Sequence, residues 1–164
     1  MSTSTRPADA DARTRVQVDP RGPRFAAALT TLLLAVALLL APSPATIALF
    51  VVQTAVFATG ALVGIQHTPY SWLFQAFLRP RLGRPDQLED AAPPRFAQAV
   101  GLGFGVVALL GYAVGADLLG TVATGFALEA AFLNAAFGLC LGCEVYLLLQ
   151  RAKPSRSGST ATAH

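Results

Sequence analysis

Apolar residues in this chain gather into blocks, and the charges gather between them. The blocks are Phe25 to Ala41, Ala45 to Ile65, Phe96 to Gly115, and a long one from Leu118 to Leu149. A helix needs about 20 apolar residues to cross the hydrocarbon core of a bilayer, and the first three blocks come close to that length. The fourth is too long for one upright crossing. None shows the strict alternation of a barrel strand, and a chain in lipid must satisfy its backbone internally, which leaves helices. The pattern predicts an all-α, polytopic membrane protein with four transmembrane helices over 25–41, 45–65, 96–115 and 118–149. Pro42 and Pro44 predict a tight hairpin between the first two, since proline cannot continue a regular helix, and Ala116 and Asp117 predict a turn between the last two.

Charge gives the arrangement a direction. Arg6, Arg13, Arg15, Arg21 and Arg24 precede the first block. Arg79, Arg81, Arg84 and Arg95 fill the connector between the second and third, and Arg151, Lys153 and Arg156 close the chain. The two remaining loops hold no basic residue, so the positive-inside rule places all three basic segments, and both termini, in the cytoplasm of a cell-membrane protein. Composition agrees: 54% of residues are apolar and 13% charged, which excludes an ordinary soluble domain. The net charge of +3 is accounted for by topology and calls for no nucleic acid. Ser43 and Ala45 make a passable signal-peptidase site, but the apolar run before them exceeds the ~7–15 residues of a signal peptide's core. Residues 1–18 and 152–164 lack an apolar face and are expected to be disordered, leaving 19–151 as the membrane domain.

The connector crowds Tyr70, Trp72, Phe74 and Phe77 beside Arg79, Arg81 and Arg84. Aromatic rings and arginines favour the headgroup layer, so this stretch reads as an interfacial helix anchored by Tyr70, Trp72, Arg79 and Arg81. Docking of a soluble partner is the other use of such a surface. His67 reads as a surface residue before a ligand. Glycines spaced by four, at Gly60 and Gly64, Gly101 and Gly105, Gly111 and Gly115, and Gly138 and Gly142, predict close helix packing.

Candidate chemistry lies in the fourth block. Along the fourth helix, Glu129, Cys140, Cys143 and Glu144 share a face at ~100° per residue, while Asn134 and the glycines point elsewhere. An acid inside a crossing is costly and marks Glu129 as either functional or a neutral, hydrogen-bonded core residue, with Glu144 and Asn134 as supporting candidates. Three readings of Cys140 and Cys143 stand. They are a redox or sulfur-handling pair, part of a metal site completed by His67 or another subunit, or two packed and inert cysteines. Glu144 beside them opposes a thiolate unless a cation compensates. No cofactor is called for. With no Ser-His-Asp set and no phosphate loop, a self-sufficient enzyme is not expected.

The segments VDPRGPRFAAALT, PPRFAQAVGLGF and AAFLNAAFGLCLGCEVYLLL resemble a family of small bacterial membrane proteins catalogued only as domain of unknown function four-three-nine-five. The likeness spans about Asp19 to Arg151 and is most specific from Asn134 through Cys140, Cys143 and Glu144 to Tyr146. The resemblance implies an integral membrane protein of unassigned activity, and an association with thioredoxin-like or sulfurtransferase proteins as partners. Three functions from different classes follow. They are a thiol-redox or sulfur-relay component, a small transporter or metal-binding protein, and a structural subunit without chemistry. A homo-oligomer is compatible with each.

Overall fold

A computed structural model describes residues 16–83, 85 and 87–152. The expected disordered ends at 1–15 and 153–164, and Arg84, lie outside the described residues. Gln17 and Val18, expected in the disordered leader, form a short strand β1 that pairs antiparallel with β2, Glu89–Asp90. Everything else of consequence is helix: α1 Arg21–Leu39, α2 Pro44–Ala58 extended by a π-helical turn Thr59–Val63, α3 Pro69–Leu73 continuing through a π turn into α4 Arg79–Leu82, α5 Ala92–Ala113, α6 Asp117–Phe137 and α7 Leu141–Ala152.

Four of these helices, Arg21–Leu39, Pro44–Val63, Ala92–Ala113 and Asp117–Phe137, are long and apolar enough to cross a membrane. Two of them begin on proline. Ser43 caps α2 by accepting a hydrogen bond from the Thr46 amide at 3.3 Å, with Pro44 in the first turn. Pro93 and Pro94 open α5, where their missing amides cost nothing. Leu34, Ala37, Phe50, Ala108, Tyr112, Ala123 and Ala127 form the core, and α1 packs on α6, α2 on α5, and α5 on α6. The outward faces are equally apolar: Leu32, Leu110 and Leu118 are all well exposed. A bundle apolar both inside and outside suits a hydrocarbon solvent.

The fourth apolar block is not one helix. Its chain leaves α6 at Gly138, whose φ of +71° lies in the left-handed region where a side chain would be strained, and starts again as α7 at Leu141. Gly138 and Gly142 therefore do not line one face. Gly142 instead lets α7 lie directly on α5, because a Cβ there would fall 2.7 Å from Ala97 Cα.

The chain also contains an internal repeat. Asp19, Pro23, Arg24 and Phe25 recur at constant spacing as Asp90, Pro94, Arg95 and Phe96, and each pair does the same work. Asp19 accepts from the Arg21 amide and Asp90 from the Ala92 amide, both at 2.9 Å. Phe25 packs on Phe74 at 6.0 Å between ring centroids, and Phe96 on Tyr146 at 5.7 Å. Arg95 donates to the carbonyls of Ala61 and Leu62 at the end of α2, and Arg24 reaches those of Ala135 and Ala136 at the end of α6. Each arginine thus satisfies orphan carbonyls, at the negative pole of the neighbouring helix. The units are β1-α1-α2-α3 and β2-α5-α6-α7, joined where Val18 pairs with its counterpart Glu89.

Candidate functional site

The site is built by the break at Gly138. The Gly138 amide donates to the Asn134 carbonyl at 3.0 Å, closing α6, and Leu139 and Cys140 lead into α7. Cys140 then serves as the cap of α7. Its carbonyl accepts from the Glu144 amide at 3.0 Å and its Sγ from the Cys143 amide at 3.3 Å. Cys140 and Cys143 are joined by a disulfide across a Cα separation of 5.2 Å. Sulfur rarely holds the cap position that Ser, Thr, Asp and Asn favour, and there it faces the positive pole of the helix. Arg24 lies beside Gly138, its guanidinium carbon 3.6 Å from where a Cβ on that residue would stand.

The other sequence candidates do not gather here. Glu129, Cys140, Cys143 and Glu144 do not share a helix face, because Gly138 puts the acid and the thiols on different helices. Glu129 is exposed on α6 and Glu144 is exposed in the first turn of α7. Asn134 is half-buried one turn before Gly138 and lines the same cavity as Cys140. His67 is exposed at the end of a short 3-10 turn, and among the described residues no three His, Cys, Asp or Glu side chains come together.

In the connector, Trp72, Arg79 and Arg81 are exposed and Tyr70 is half-buried. Its hydroxyl donates to Gln53 Oε1 at 2.7 Å, and Gln53 Nε2 donates to Thr30 Oγ1 at 3.3 Å, so the ring ties α3 to a buried polar chain between α1 and α2. Burial pushes the Tyr70 phenol above its ordinary value.

Sequence reasoning missed two things. One is Arg24 as a partner of the cysteine turn, which the recurrence of Pro-Arg-Phe at two helix starts would have flagged. The other is a cavity of about 340 Å3 between α1, α5, α6 and α7. Phe57, Gln98, Phe104, Phe126, Asn134 and Cys140 all contribute to its wall.

No curated protein and no solved structure matches the chain. One family model does, over residues 18–151, and it carries the description "Domain of unknown function (DUF4395)". That match takes in both repeats, every helix able to span a membrane and the cysteine turn, and the chain is therefore a member of the DUF4395 family.

Proposed function

We propose that this protein is a multi-pass cell-membrane protein with both termini in the cytoplasm, and that it works there as a thiol-redox or sulfur-relay component through Cys140 and Cys143. The observation that carries the reading is the seat of Cys140 at the cap of α7, with the Cys143 amide directed at its sulfur. A partner thiolate attacks Sγ of Cys143. The Cys140–Cys143 bond breaks, and Cys140 leaves as the thiolate that the helix pole stabilises. The partner's second thiol then attacks the mixed disulfide, so the partner ends oxidised and this chain holds two thiols. A thioredoxin-like protein supplies such a dithiol partner, and the exposed Trp72 and Phe77 beside Arg79 and Arg81 offer it a surface. Orientation follows from the arginines: Arg21, Arg24 and Arg95 sit at the same ends of antiparallel helices that Arg24 and Arg95 bridge.

The test is alkylation of the cysteines in intact membranes before and after mild oxidation, with Cys140→Ser and Cys143→Ser as controls. Labelling lost on oxidation and recovered on reduction, only when both cysteines are present, is the expected result. Labelling indifferent to oxidation sinks the thiol reading, and a reporter after Asp117 that behaves as cytoplasmic sinks the topology.

A further inference from the structure

The cavity beside the cysteine turn has a character of its own. Its wall is mainly apolar, and its size falls within the ~300–1,000 Å3 of small-molecule sites. Several of its lining side chains are also exposed, Val100 38%, Phe126 57% and Val145 47%. Apolar side chains of α5, α6 and α7 thus border the space, a rim that an apolar ligand can cross from lipid. Phe57, Phe104 and Phe126 give it ring faces, with Phe104 and Phe126 tilted together at 6.2 Å.

Polar groups are few in this apolar wall. One is Cys140, the member of the pair that departs as a thiolate. Thr30, Gln98 and Asn134 are the others, a hydroxyl and two amides able to offer a ligand a donor or an acceptor. A site with ring-faced apolar walls, a few hydrogen-bonding groups and a two-electron sulfur pair matches a flat, lipid-soluble carrier of two electrons with oxygens at its ring.

We infer that this cavity binds a membrane quinone, which takes the electron pair from the Cys140–Cys143 dithiol. The inference rests on the thiol reading above and names its second substrate. The Cys140 thiolate adds to the quinone ring, forming an S–C bond. The Cys143 thiolate then attacks the Cys140 sulfur; the S–S bond forms, the S–C bond breaks, and its electron pair passes to the ring. The two thiol protons finish on the quinol oxygens. Over a full cycle the partner dithiol is oxidised to a disulfide and the quinone is reduced to quinol.

The experiment uses the full chain, reduced, freed of reductant and placed in phosphatidylcholine vesicles with a short-tailed benzoquinone or naphthoquinone. Quinone absorbance and free thiols are followed together, and exchange with a soluble dithiol protein is measured separately. The expected result is one quinone reduced for each pair of thiols lost, and none with Cys140→Ser. Filling the cavity with Ala130→Phe should slow the reaction roughly tenfold or more. Because that variant could misfold, a photoreactive quinone on the unaltered chain gives a second readout, with labels expected on α5, α6 or α7 around the cavity. Normal exchange with the soluble dithiol but no quinone reduction overturns the quinone inference and leaves the thiol reading standing. Failure of exchange overturns the thiol reading itself. Labels confined to other surfaces, or displaced by added phospholipid alone, identify the cavity as a lipid acyl-chain site and overturn the inference.

Discussion

Thr68 holds Ser71 as Cys140 holds Cys143. Thr68 Oγ1 accepts from the Ser71 amide at 3.2 Å and its hydroxyl reaches Ser71 Oγ at 3.0 Å, while the Thr68 carbonyl accepts from the Trp72 amide at 3.1 Å. In the second unit the same amide-to-cap, cap-to-third-residue and carbonyl contacts are made by sulfur, with a disulfide in place of the hydroxyl pair. The first unit thus carries the same seat without the thiols.

That equivalence predicts that Thr68→Cys with Ser71→Cys, in a chain lacking Cys140 and Cys143, forms a disulfide under the oxidant that closes the native pair. Thiol alkylation followed by mass measurement reads it directly. Two thiols that stay free would show that the seats differ in backbone geometry.

Arg95 and Arg24 should differ in what they contribute. Arg95 makes two 2.8 Å bonds to the end of α2, so Arg95→Ala should cost about 1–2 kcal/mol of stability in a thermal melt in detergent. Arg24 makes two contacts of 3.5 Å, so Arg24→Ala should cost about 0.5 kcal/mol. It should instead slow alkylation of Cys140 near neutral pH by removing the cation beside the turn. An unchanged alkylation rate would leave Arg24 a purely structural cap.

Gly142→Leu should separate α7 from α5. Even a Cβ falls 2.7 Å from backbone at Ala97, which cannot yield as a flexible side chain would, so a loss of about 1–3 kcal/mol is expected, together with faster disulfide reduction as the turn loosens. Wild-type melting and reduction rates would contradict the close approach.

Tyr70 gives the fold a pH dependence. Its folded phenol titrates above the ordinary value of 10.0 because burial disfavours the anion. Above that pH the unfolded chain gives up a proton that the folded chain keeps, so the stabilisation is complete below pH 10.0 and is lost as pH rises beyond it. Tyr70→Phe should abolish this alkaline loss. It should also cost about 1–3 kcal/mol at neutral pH, by leaving Gln53 Oε1 buried without its donor. An identical alkaline profile in the variant would assign the loss elsewhere.

The apolar pattern made the helices legible because in lipid a helix is nearly the only solution, and Pro44, Pro93 and Pro94 mark helix starts just as proline chemistry demands. The break at Gly138 was not legible. Leu139 and Leu141 flank Cys140 with apolar side chains, so nothing in hydropathy marks a turn there, and a glycine four residues from another reads equally well as a packing notch. That hidden turn moved Glu129 off the cysteine face. The bond of Tyr70 to Gln53 was not legible for a related reason: its partner lies on another helix. The repeat escaped because its identity is confined to a few residues at two helix starts, while the apolar stretches that follow share only their hydropathy.

The β1–β2 ribbon gives the duplication a further meaning. Val18 and Glu89 hold equivalent places and pair with each other, the relationship that a strand has to its own copy across a two-fold axis. A ribbon of that kind closes between two separate chains as readily as within one, so each unit has the geometry of half a symmetric dimer. Joined in one chain, the halves can differ where two identical copies could not: one seat holds cysteines and the other hydroxyls, an asymmetry closed to a homodimer.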